Sequence, residues 1–145
     1  MKNLALSWPL WAVLSALFAA LTAIFAKIGV DGVNSNLATL IRTVVILLAA
    51  AVLVTATNSW QPPQTLSSRT LLFLILSGLA TGASWFCYFH ALKLGDAARV
   101  APIDKLSVVF VAVFAVLVLG EKLSLPNWLG VAMIAAGAVL IAWRA

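Results

Sequence analysis

Five apolar stretches, each about 20 residues long and closed off by a short polar break, constrain this chain more than any other feature. They run Trp8–Val30, Leu37–Thr57, Thr70–Leu92, Val100–Leu119 and Leu125–Trp143. A helix of about 20 residues crosses roughly 30 Å of hydrocarbon. No water reaches that depth, so the backbone must satisfy its own hydrogen bonds, which predicts helices rather than open strands. The breaks carry turn chemistry: Asp31-Gly32-Val33-Asn34-Ser35-Asn36, Asn58-Ser59-Trp60-Gln61-Pro62-Pro63, Lys93-Leu94-Gly95-Asp96 and Glu121-Lys122-Leu123-Ser124. All are short, so function is expected inside the membrane. The first stretch outruns the apolar core of a signal peptide and is read as a span. The fold class is therefore an all-α, multi-pass membrane protein.

Composition agrees. Of the 145 residues, 64% are hydrophobic and only 9% charged, against about 25% charged in a soluble domain. Mean hydropathy is +1.13. The net charge of +5 would hint at nucleic acid in a soluble protein, but here the basic residues stand singly near span ends. Snorkelling and the positive-inside effect account for them, and nucleic acid is not an expected partner. Cys87 is the only cysteine, which rules out an internal disulfide and a cysteine metal cluster. No metal or other cofactor is expected.

Five spans put the termini on opposite sides. One side gathers Trp8-Pro9, Trp60 with Pro62-Pro63, and Pro126 with Trp128, an aromatic belt contributed by three separate segments. Its basic residues are Lys2, Arg69 and Lys122; the opposite side has Lys27, Arg42, Lys93, Arg99 and Arg144, with Lys105 deeper. That bias favours the second side in the cytoplasm. It vanishes if Lys27 and Arg42 belong to a site, so orientation is weakly specified.

The polar groups cluster by depth on that second side. Lys27 and Asp31 close the first span, Thr39, Arg42 and Thr43 open the second, Tyr88, His90 and Lys93 end the third, and Arg99, Asp104 and Lys105 open the fourth. A one-sided polar vestibule follows. Charge at membrane depth costs roughly 2.5–3.5 kcal/mol on insertion scales, which makes such residues candidates for function. Asp104 and Lys105 are neighbours, pointing about 100° apart on a helix, and are expected to reach different partners. Pro102 is expected in the first turn of the fourth helix, with Asp104 near its positive end. Two readings stay open for the pair: an interfacial anchor, or part of a binding site.

On the third span Ser77, Thr81, Ser84 and Tyr88 recur at helical spacing, with Gly78, Gly82, Trp85 and Phe89 on the neighbouring face. These faces read either as a substrate path with Trp85 and Tyr88 as stacking surfaces, or as helix packing. His90, the single histidine, makes no metal site alone. It is a proton-relay candidate with Asp104, although a hydrogen-bonded interface histidine is the commoner arrangement. The fifth span, with Gly130 and Gly137 among alanines, reads as a packing helix and a subunit interface. No Ser/His/Asp spacing and no Gly-rich phosphate loop is present, so enzymatic chemistry is not expected.

The segment Ala91-Leu-Lys-Leu-Gly95, Ala98-Arg-Val-Ala-Pro102-Ile-Asp-Lys-Leu-Ser107, Leu119-Gly-Glu-Lys122 and Trp128-Leu-Gly130 through Gly137 resembles an EamA domain of the drug/metabolite transporter superfamily. The Pro102-Ile-Asp104-Lys105-Leu-Ser107 version is similar to small five-helix bacterial and archaeal members; Phe25-Ala-Lys27-Ile-Gly29 and Arg42 also fit. The resemblance implies one EamA-type half-transporter unit over residues 1–145. Larger relatives carry two such units, the second inverted. A single unit implies a homodimer, parallel or antiparallel, working by alternating access in the bacterial inner membrane. The four-helix relatives use a glutamate in their first helix for cation exchange. Here the first span has Ser15 and no acid, so that mechanism does not carry over.

The expected function is then secondary transport of a small organic metabolite or drug. Candidate binding or gating residues are Lys27, Arg42, Thr81, Ser84, Trp85, Tyr88, Asp104 and Lys105. The basic excess leans towards an anionic or zwitterionic small molecule. The alternative is a non-transporting accessory or assembly subunit of a membrane complex.

Overall fold

The computed structural model describes residues 8–143, so Lys2 and Arg144 of the charge balance lie outside the described residues. Every regular element among them is helical: α1 (Trp8–Gly29), α2 (Ser35–Ala56), α3 (Ser68–Leu94), α4 (Ala97–Asp104), α5 (Ser107–Val118) and α6 (Leu125–Ala142), with a short 3₁₀ turn at Pro63–Thr65. Among the described residues, five stretches are long and apolar enough to cross a membrane, α4 and α5 counting together as Ala97–Val118.

The breaks end helices by ordinary capping. Asn34 accepts the Asn36 N–H at the start of α2, 2.9 Å. At its end Asn58 takes a left-handed conformation (φ 52°). The Ser59 and Asn58 N–H groups then return to the Val54 and Thr55 carbonyls, which is a Schellman closure with asparagine where glycine is usual. Ser67 accepts the Thr70 N–H at 3.1 Å to open α3. Gly120 (φ 69°) turns the chain after α5, and the Glu121 N–H reaches back to the Ala115 carbonyl.

The fourth span departs from the sequence expectation. Its helix starts at Ala97, so Pro102 lies inside α4 rather than in its first turn. The missing proline N–H leaves the Ala98 carbonyl without its usual donor. The helix ends at Asp104, and the chain passes through Lys105 and Leu106 with tight 3₁₀-type bonds, Leu106 N–H to Ile103 O (3.0 Å) and Val109 N–H to Leu106 O (2.9 Å). It resumes as α5 at Ser107. Asp104 is thus the last residue of a helix, at the end where the macrodipole disfavours an anion.

The described residues fall into two compact units, one made of 8–26 with 94–143, the other of Lys27–Lys93. In the first, α6 lies against both α4 and α5. Ala112 and Ala138 are buried, small side chains of the kind that let membrane helices approach closely. Arg99 Nη2 donates to the Ala142 carbonyl at 3.0 Å, capping the end of α6. In the second unit the buried residues are Val30, Ser35, Phe89 and Leu92. They cluster where α2 begins and α3 ends. Farther along, residues 43–53 of α2 and 68–84 of α3 are exposed on every side. Lipid tails are as apolar as leucine, so these surfaces need no protein cover in a bilayer.

Candidate functional site

The unit Lys27–Lys93 assembles most of the polar residues singled out in the sequence. Arg42 lies two turns into α2, about 10 Å from its start by helical rise. Its guanidinium carbon stands 4.3 Å from the Trp85 ring centroid and 5.4 Å from that of Phe89. Trp85 and Phe89 are four residues apart, so consecutive turns of α3 present both rings to one cation. Tyr88 is half-buried and lies within electrostatic range of Arg42. Rings attract the charge but are poor acceptors for five N–H donors. Among the described residues no oxygen is hydrogen-bonded to the guanidinium. Arg42 is therefore held in place by aromatic faces while keeping its donors available to a planar anion.

Elsewhere in this unit the two lysines and the histidine are tied to backbone carbonyls or to a hydroxyl. The Lys27 ammonium donates to the Leu92 carbonyl at 2.7 Å. The Lys93 ammonium donates to the Val33 carbonyl at 3.0 Å. With Ile28, Val30, Asp31 and Gly32, both lysines line a cavity of about 500 Å³. His90 Nδ1 lies 3.2 Å from the hydroxyl of buried Ser35 and 3.3 Å from the Phe86 carbonyl. The imidazole also leans on the Phe86 ring, with centroids 4.7 Å apart. His90 thus bonds α3 to the start of α2.

The hydroxyl face of α3 looks outward. Thr81 and Ser84 are exposed, and the Thr81 hydroxyl is taken up by the Ser77 carbonyl one turn back, 2.9 Å. Phe89 is the residue the sequence did not single out for the site. It is apolar on an apolar helix, and its only signal was its four-residue spacing from Trp85.

Asp104 and Lys105 belong to the other unit and correct the sequence expectation: they bond each other, Nζ to Oδ2, at 3.2 Å. The expectation of separate partners assumed a continuous helix and ignored the reach of lysine. The helix stops between the two residues, and the four-carbon stem folds back over the preceding carboxylate. The pair is also deeper than expected. Asp104 lies seven residues into the span that begins at Ala97, about 10 Å by helical rise. Neither partner is buried.

With this geometry in hand, comparison with known proteins gives a consistent result. Residues 6–143 match the EamA-like transporter family. A protein from Sinorhizobium sp., described as "Uncharacterized transporter in cobO 3'region", is 70% identical over 136 residues, covering 94% of this chain and 96% of that protein. No solved structure matches.

Proposed function

We propose that this chain, which belongs to the EamA-like transporter family and is a membrane transporter, moves a small organic anion or zwitterion across the bacterial inner membrane. It does so as a homodimer of single EamA units, by alternating access. The observation that carries the substrate class is Arg42. A guanidinium two turns inside an apolar span, seated on Trp85 and Phe89, has the shape and charge to take a carboxylate. Trp85 and Tyr88 offer faces for the remainder of the molecule.

The interrupted fourth span supports alternating access. Discontinuous membrane helices are where transporters place ion sites and allow one segment to move against another. The break at Lys105 and Leu106 is such a point, and the Asp104–Lys105 pair beside it holds a charge that can change partners during a cycle. The dimer contact is assigned to α6, where Gly130 and Gly137 face open space.

Counterflow in reconstituted vesicles, run with a panel of labelled carboxylates, amino-carboxylates and organic cations, tests the reading. Exchange of at least one carboxylate-bearing compound, lost in Arg42→Ala, is the expected result. Exchange of cations alone, or full activity in Arg42→Ala, overturns it.

A further inference from the structure

The cavity at the end of α1 and α3 does not depend on what is transported. It lies at the membrane surface, because Lys27 stands in the last turn of α1 and Lys93 in the last turn of α3. Both ammonium groups are fixed by carbonyls from another segment, Leu92 and Val33, rather than extended into water. Lys93 carries three donors and uses one of them on Val33. Asp31 supplies a carboxylate at the same rim, and Ile28, 70% exposed, gives the cavity an apolar edge towards the bilayer. Two lysines and one aspartate leave the lining with a net single positive charge.

We infer that this cavity holds the headgroup of an anionic phospholipid, with phosphatidylglycerol as the best fit. Basic pockets between membrane helices near the surface are lipid-headgroup sites by charge and position. The phosphodiester, with its single negative charge, matches the net charge of the lining and lies between Lys27 and Lys93. The glycerol hydroxyls donate to Asp31, and an acyl chain descends along Ile28. Phosphatidylethanolamine, neutral overall, leaves the lysine charge unmatched. The cavity volume of about 500 Å³ accommodates a phosphoglycerol group with ordered water.

Thermal unfolding of the purified full chain in detergent, with added dioctanoyl phosphatidylglycerol, dioctanoyl phosphatidylethanolamine or glycerol 3-phosphate, tests this. Phosphatidylglycerol is expected to raise Tm by several degrees in a saturable way, and the other two to do so by less than a third as much. Lys93→Gln and Lys27→Gln should each remove most of the shift, measured against the same variant without lipid, while Lys93→Arg retains it. Native mass spectrometry of the unaltered protein from mixed micelles should show phosphatidylglycerol retained over phosphatidylethanolamine, a reading that needs no variant to fold. Equal effects of the two lipids, or an undiminished shift in both glutamine variants, overturn the assignment. An equal shift with glycerol 3-phosphate assigns the site to a soluble phosphate and overturns the lipid.

Discussion

An arginine within a lipid-exposed helix costs up to roughly 2.5–3.5 kcal/mol on insertion scales, the full figure applying at the centre of the span. Arg42 offsets part of that cost through Trp85 and Phe89, each cation–π contact contributing about 0.5–2 kcal/mol. Arg42→Lys should keep the charge but lose the planar stacking and the bidentate fork. Initial uptake rates are expected to fall about tenfold or more, as for the loss of roughly 1.4 kcal/mol of interaction. Trp85→Leu should weaken apparent affinity several-fold, measured as the concentration giving half-maximal counterflow, while leaving expression unchanged. Arg42, Trp85 and Tyr88 are legible in the sequence as residues that stand out against apolar spans. Phe89 was not, because an aromatic on an apolar helix is indistinguishable from packing until a cation is found beside it. The Asp104–Lys105 bond was hidden for a different reason: angular separation on a helix says little about a flexible lysine next to a helix end.

At the scale of elements, the interrupted fourth span was the feature least visible in the sequence. A proline is harmless at a helix start and disruptive inside it, and Pro102 reads either way until the start is known. The turn chemistry of Lys93-Leu94-Gly95-Asp96 predicts a four-residue break, whereas only Gly95 and Asp96 separate α3 from α4. The apolar pattern predicts a fourth span opening at Val100, whereas its helix opens at Ala97, and that earlier start places the proline inside. Pro102→Ala restores a backbone donor and should favour a straight helix. A rise in Tm together with a several-fold loss of transport is the expected pair of results; unchanged transport removes the break from the cycle. On α6, Gly130→Leu combined with Gly137→Leu should shift the detergent-solubilised protein towards monomer, as judged by light scattering coupled to size-exclusion chromatography.

The molecule as a whole carries little information about which way it faces. Of the basic residues on the Lys27 side, four are engaged by the fold: Lys27, Lys93 and Arg99 on carbonyls, Arg42 on rings. Their positions answer to local bonding as much as to the cytoplasm. Fluorescent and periplasmic reporters fused after residue 145 should therefore both give signal, and two lysines added to the 121–124 loop should shift the balance towards one. The number of spans and their turns was plain from apolar run lengths, because the bilayer imposes a length that any reader of the sequence can apply. How the helices pair was not, since lipid-facing and protein-facing leucines look alike.

The unequal lengths of the spans carry a consequence for the surrounding lipid. The helix α3 has 27 residues and α6 has 18, about 40 Å and about 27 Å by helical rise. A bilayer whose hydrocarbon matches α6 makes α3 lean or project, and one thick enough for α3 stretches beyond α6. Each ångström of mismatch costs a fraction of a kcal/mol. Transport measured in vesicles of graded acyl-chain length should therefore pass through a maximum, making bilayer thickness a control on this protein that acts without touching any charged residue.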